Sequence, residues 1–298
     1  MDIIDTLKER GFIAQITREK ELRDALSAGP VTLYVGFDPS GDSLHVGHLL
    51  PIMVMGWLQR AGHKVIAVVG GGTGRIGDPS GKTEMRQLLT DERIEHNIQG
   101  LTSQLVRFID INDDNGRIVN NADWLLQLNY ISFLREIGSK FSVNRMLAAE
   151  AYKQRLETGL SFIEFNYQIL QAYDFLHLNR QYGCSLQVGG DDQWGNIVAG
   201  TDLIRRETEN TAFGLTIPLL TTATGAKMGK TAKGAVWLDT NKLSAFDYYQ
   251  YWLNVDDRDV TKLLKLYTLL PMPAIAELDA LTGADIRKAK AVLAFETT

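Results

Sequence analysis

Apolar and polar positions follow one another along the chain with two different periods, and the switches between them mark out its elements. Residues 2–10 and 19–27 carry helical spacing. Val31-Thr32-Leu33-Tyr34-Val35-Gly36-Phe37 is mostly apolar, as a short buried strand is, and the turn formers from Asp38 to Ser43 end it. A mostly apolar helix follows over about 47–61. Lys64 to Val69 is an almost continuous apolar run between Gly62 and Gly70-Gly71-Gly72, which predicts a central parallel strand. A long helix is predicted over 90–109, with acids in its first turn after Thr90. A short strand at Arg117–Asn120 and helices near 122–137 and 145–157 come next. Ser161 to about Arg180 reads as one helix rich in aromatics, among them Phe162, Phe165, Tyr167, Tyr173 and Phe175. Ser185–Val188 is a strand, and Asp192 starts another helix.

Alternation of strand and helix, with glycine-rich turns at strand ends, predicts an α/β fold built on a doubly wound parallel sheet. Ligands of such sheets bind at the C-terminal strand edge, where His45, Gly72 and Gly190 fall. After about Leu220 the pattern turns into a hairpin-like loop and then helices. The expected division is a catalytic domain over 1–220 and, over 221–298, a loop with a partial helical domain.

Composition narrows the function. The chain has 298 residues, 45% of them hydrophobic, and no apolar run long enough to span a bilayer, so no membrane partner is expected. Its one cysteine, Cys184, excludes an internal disulfide framework and suits the cytoplasm. A net charge of −5 excludes a polycation, so any nucleic-acid partner needs a local basic patch.

Two stretches imitate phosphate loops. Gly72-Thr73-Gly74-Arg75-Ile76-Gly77 follows a strand, but a second turn, Asp78-Pro79-Ser80-Gly81, stands where a dinucleotide site opens its helix. Gly77 to Thr83 is one residue short of a Walker loop. What remains is a glycine-rich loop carrying Lys82 and Arg86, two cations for a polyphosphate. His45-Val46-Gly47-His48 opens the helix after the first parallel strand. Its histidines share one face of the first turn, where unpaired N–H groups and the helix dipole favour phosphate. Far downstream, Lys227-Met228-Gly229-Lys230-Thr231 is a basic loop among small residues.

Together these last two loops resemble the HIGH and KMSKS signatures of class I aminoacyl-tRNA synthetases. With Tyr34 to Pro39, Gly77 to Lys82, Tyr167 to Asp174 and Leu186 to Asn196 added, the chain is similar throughout to the bacterial tyrosyl-tRNA synthetases, with the motifs in family order. The resemblance implies a Rossmann-like catalytic domain that joins tyrosine to ATP and then passes tyrosyl to tRNA(Tyr). It implies Tyr34 and Asp174 at the substrate's phenolic hydroxyl, Asp78, Tyr167 and Gln171 at its ammonium group, and Gln193 near its carboxylate. Asn121 supports this pocket. For the nucleotide it implies Gly36, Asp38, Gly47, His48, Gly190, Asp192 and Met228, and for the triphosphate Ser40, His45, Lys82, Arg86, Lys227 and Lys230. Magnesium accompanies the ATP, and no metal site made of protein alone is expected. A homodimer is implied, with the Phe162 segment near its interface.

Several positions depart from the commonest family pattern: Val35, Ser40, Ala122 and the Met228-Gly229 pair. The sequence also stops inside a helix that starts near 284, which predicts a catalytic fragment that forms the adenylate but charges tRNA poorly. Two rivals stand beside this reading. One is a tryptophan-specific synthetase, and the other is an idle synthetase-like RNA-binding protein.

Overall fold

The computed structural model describes residues 2–80, 89–112, 114–223, 225, 228–231 and 234–298, following Glu150, Ala151, Gln154, Lys230 and Thr231 by backbone alone. Strands Gln15–Ile16 (β1), Thr32–Phe37 (β2), Lys64–Val69 (β3), Gly116–Asn120 (β4), Cys184–Gly190 (β5) and Phe213–Ile217 (β6) form one sheet. Its order is β1-β6-β5-β2-β3-β4. All neighbours run parallel except β1, which pairs antiparallel with β6. From β2 the chain first lays β3 and β4 on one side, then returns to lay β5 and β6 on the other. The winding reverses between β2 and β5, and a crevice opens above their C-terminal ends.

Period-two alternation sorts the strand side chains between two cores. Leu33, Val35 and Phe37 join Val65, Ala67 and Val69 in one buried cluster, while Tyr34 joins Ile66 and Val68 in the other. Both faces are covered, which is why β2 and β3 read as near-continuous apolar runs. Helices Tyr167–Tyr182 and Trp194–Thr208 pack on each other beside β5 and β6. The first cluster also contains Trp252, Tyr267 and Leu293 from helices Ala245–Leu253, Val260–Tyr267 and Ile286–Thr297, so the C-terminal helices share the core of the sheet. Between β6 and these helices in chain order, Lys230–Thr231 (β7) and Gly234–Ala235 (β8) pair antiparallel as a hairpin.

The predicted strands at β2, β3 and β4 stand within a residue of their expected bounds. Several helices are shorter or broken. The aromatic helix is two, Phe162–Phe165 and Tyr167–Tyr182, meeting at Asn166, whose side-chain amide donates to the Phe162 carbonyl at 2.6 Å. A short amide that bonds the backbone competes with the helix. Likewise 122–137 is Ala122–Leu125 and Tyr130–Glu136, the second capped by Asn129, whose side chain accepts from the Ser132 N–H. Helix 145–157 is Val143–Leu147 and Glu150–Leu156, and 90–109 ends at Leu105. Asp192 lies in a 3-10 turn, and the helix proper starts at Trp194. Strands β1 and β6 were not predicted. Among the described residues, no helix is long and apolar enough to cross a membrane.

Candidate active site

At the crevice above β2 and β5 the chain encloses a cavity of about 540 Å³. One wall is the first turn of helix Val46–Arg60. His45 holds extended backbone as the N-cap, and its Nδ1 accepts the Gly47 N–H at 3.0 Å. The His48 Nδ1 in turn accepts the His45 N–H at 3.1 Å, and the two rings stack with centroids 3.9 Å apart. Burial, reinforced by the neighbouring His45, pushes His48 down to about 3, so the ring is neutral at ordinary pH. With its Nδ1 engaged as an acceptor, the neutral His48 ring carries its proton on Nε2 and presents it as a donor. Gly47 leaves room for this stack, because a Cβ there would lie 2.8 Å from His45 Cε1.

The deep end of the cavity is a polar network under an aromatic lining. Asp174, on helix Tyr167–Tyr182, is buried and accepts from Asn121 Nδ2 at 2.8 Å and Trp124 Nε1 at 2.7 Å. Burial raises its carboxyl to about 8, against the pull of these two donors. Tyr34 reaches the same end from β2. Its ring centroid is 5.3 Å from that of Phe175, and its buried hydroxyl has no hydrogen-bond partner among the described residues. Burial and the Asp174 charge hold that phenol well above its ordinary value.

Two more carboxyls face the cavity. Asp38 Oδ2 accepts from the Tyr167 hydroxyl at 2.8 Å and its Oδ1 from Thr73 Oγ1 at 2.7 Å. Asp78 accepts from the Ser80 N–H at 2.8 Å and from Gln193 Nε2 at 2.6 Å, and burial raises it above the usual carboxylate range. Asn196 Nδ2 ties the amides together, donating to Gln171 Oε1 at 3.1 Å and Gln193 Oε1 at 3.0 Å. Tyr167, Gln171 and Asp174 all line the cavity, as their spacing on one helix face predicts. Asp38, Asp78 and Asp174 thus bring three carboxyl groups to one cavity.

On the far side Ser40, Gly36, Gly190, Asp192 and Met228 line the same cavity. The Met228-Gly229 pair lies against the histidine turn. Val236 N–H donates to the Gly229 carbonyl at 2.9 Å, and Val46 N–H donates to the Val236 carbonyl at 2.9 Å. Gly229 has φ +80°, and a Cβ on it would lie 3.2 Å from the Gly47 nitrogen. Glycine therefore suits the position twice over, by conformation and by room. Lys82, Arg86 and Lys227 lie outside the described residues, and Lys230 is described by its backbone in β7.

Sequence reasoning missed Thr73, Trp124, Asn196 and Gln187, whose buried Oε1 is likewise without a hydrogen-bond partner among the described residues. Thr73 sat in the rejected glycine motif, and nothing local sets the other three apart from core residues. Asp38, expected at the nucleotide, has its hydrogen bonds to Thr73 and Tyr167 on the side of the Asp174 network. Gln193, expected near a carboxylate, donates to Asp78.

Known proteins resemble the chain over its whole length. A tyrosine–tRNA ligase of Clostridium tetani is 59% identical over 297 residues, spanning 100% of this chain and 73% of the relative. One of Desulfosudis oleivorans is 60% identical over 300 residues, 69% of its length. A solved C-terminally truncated mitochondrial tyrosyl-tRNA synthetase of Coccidioides posadasii superposes with a TM-score of 0.85 at 32% identity, over 100% of this chain and 87% of that one. The family model described as class I tRNA synthetases (W and Y) matches residues 26–298. The chain belongs to that family of class I tRNA synthetases.

Proposed function

We infer that the chain is a tyrosine–tRNA ligase, which activates tyrosine with ATP to tyrosyl-adenylate and pyrophosphate and then transfers tyrosyl to the 3′ end of tRNA(Tyr). Relatives at 59% and 60% identity bear that name, and neither the tryptophan reading nor the idle RNA-binding reading is favoured. The observation that carries the choice of amino acid is the deep end of the cavity. There the Tyr34 hydroxyl, without a partner among the described residues, and the buried Asp174 carboxyl offer a donor and an acceptor to a phenolic hydroxyl. Phenylalanine would leave the Tyr34 hydroxyl unsatisfied, at a cost of about 1–3 kcal/mol, and bring no third donor to Asp174.

In the proposed arrangement Asp78, Tyr167 and Gln171 take the ammonium group of the substrate, whose charge would draw the raised Asp78 carboxyl back to its anion. Gln193 is near its carboxylate. The adenosine lies over Gly47 and His48, with Gly36, Asp38, Gly190, Asp192 and Met228 around the nucleotide. ATP enters as its magnesium complex. The carboxylate attacks the α-phosphate in line, with no nucleophile from the protein. The chain aligns the reactants and stabilises charge on the departing pyrophosphate, through Ser40, His45, the His48 Nε2–H donor and the cations Lys82, Arg86, Lys227 and Lys230. The same reading divides the chain into a catalytic part, 1–220, and a loop with helices, 221–298. It makes the protein cytoplasmic and homodimeric, the dimer involving Phe162, which is 71% exposed on this chain.

Mixing the protein with ATP, magnesium and tyrosine should yield a species with the mass of tyrosyl-adenylate, together with pyrophosphate. Absence of both from folded protein would overturn the reading. Lys230→Ala should slow adenylate formation while leaving tyrosine affinity unchanged, since its charge serves the transition state. Loss of tyrosine affinity alone would remove Lys230 from that role.

A further inference from the structure

The two signature loops are held in register by contacts beyond the site already described. Helices Ala245–Leu253 and Val260–Tyr267 bring three aromatic rings together behind the loops. Tyr251 and Trp252 have ring centroids 5.1 Å apart, and Trp252 and Tyr267 have theirs 4.9 Å apart. Trp252 is fully buried at the centre. The outer two rings each end in a hydroxyl on a different loop. The Tyr251 hydroxyl donates to Met228 Sδ at 3.4 Å, next to Gly229 in the chain. The Tyr267 hydroxyl, also in the wall of the cavity, donates to the Val46 carbonyl at 3.3 Å, inside the His45–His48 turn.

We propose that Tyr251 and Tyr267 are positioning residues for adenylate formation, one phenol fixing the Met228-Gly229 loop and the other the histidine turn, with Trp252 as the rigid spacer between them. The proposal rests on the synthetase reading and concerns only how its two loops are held in place.

Three features make this a device for alignment and not ordinary packing. Carbon alone would fill the same core, yet each outer ring directs its hydroxyl to a loop. A phenylalanine would fill the space of either ring and lose only the bond. The two loops also touch directly, Gly229 lying over the Gly47 nitrogen, so a small shift in either alters the space above the turn. Finally, the C-terminal end of the Tyr267 helix, where Tyr267 stands, is anchored. Buried Arg10, from helix Ile3–Arg10, donates to the carbonyls of Lys265 and Thr268 at 3.0 Å each and also to that of Leu270. The Tyr267 ring thus stands on a helix end tied to the N-terminal helix, and its hydroxyl reaches the turn from a fixed base. Alignment of groups that act only as pyrophosphate departs affects the rate of the step more than the binding of either substrate.

The test uses wild type, Tyr251→Phe, Tyr267→Phe and the double variant. Tyrosine-dependent pyrophosphate exchange is measured beside tyrosine affinity without ATP. Each single variant should lower kcat about threefold to tenfold, the span set by one hydrogen bond, with tyrosine affinity and the KM for ATP little changed. The double variant should lose less than the product of the two single losses, because either loss already frees the loops to move apart. Unchanged kcat in both single variants would overturn the proposal. So would weakened tyrosine binding with kcat preserved, or a lowered melting temperature as the sole effect. A wild type with no exchange at all would instead overturn the synthetase reading, and this proposal with it.

Discussion

At the scale of single residues, the account turns on Asp174. Its folded value of about 8 is raised from 3.8 because burial disfavours the anion more than the Asn121 and Trp124 donors favour it. A carboxyl raised in this way contributes stability that is complete below the unfolded value and is lost as pH rises through the folded one. Asp174→Asn cannot ionise. Its melting temperature should therefore improve relative to wild type as pH rises from about 4 to about 8, read by thermal denaturation across that range. A constant difference would show that the group does not titrate there. The variant should also lose tyrosine activation while staying folded, since its amide puts a donor in place of one accepting oxygen, and the Asn121 and Trp124 donors and the substrate hydroxyl are left to compete for the other. Gly47→Ala is the second test at this scale. Its methyl would press on the His45 ring, so it should break the stack and lower pyrophosphate exchange, with circular dichroism unchanged. Wild-type exchange from that variant would mean that the stack has no part in the reaction. Tyr34, Gln171 and Asp174 were legible in the sequence because they lie on regular elements, where period places a side chain. Thr73, Trp124 and Asn196 were not, because each acts through a partner distant in sequence: Thr73 on Asp38, Trp124 on Asp174, and Asn196 on Gln171.

At the scale of elements, apolar continuity identified β2 and β3 because both of their faces are buried. The same property hid β6. Phe213-Gly214-Leu215-Thr216-Ile217 is buried at every position, yet its glycine and threonine interrupt the apolar run on one face. Strand β1 has two residues, too few for any period. Helix continuity was overestimated wherever an asparagine took a backbone bond, at Asn129 and at Asn166. The loop after Leu220 was legible as a hairpin, but not its seat on the histidine turn, which depends on pairs such as Val46 with Val236. Gly229→Ala tests that seat. A side chain at φ +80° is strained, and its Cβ would crowd the Gly47 nitrogen. The substitution should lower exchange severalfold while tyrosine affinity stays at the wild-type value. Unaltered exchange would show that the loop does not need this close approach.

At the scale of the whole molecule, the reversal of winding between β2 and β5 makes one crevice, and the described parts of all the sequence-predicted motifs meet there. The sheet was legible as a doubly wound one, and the shared core with the C-terminal helices was not, because a helix in isolation does not reveal which face of the sheet it covers. The exposed Phe162 bears on assembly. Phe162→Asp places a charge in the proposed contact between subunits and should convert a dimer to a monomer in sedimentation, without change in the melting profile of the monomer's own core. A wild-type monomer at micromolar concentration would contradict the dimer. The central claim is that the deep end of the cavity selects a phenolic hydroxyl. Its most direct test is ATP–pyrophosphate exchange on one preparation with tyrosine, phenylalanine and tryptophan in turn. The account predicts rapid exchange with tyrosine and little with the other two. Exchange as fast with phenylalanine or tryptophan as with tyrosine would contradict it.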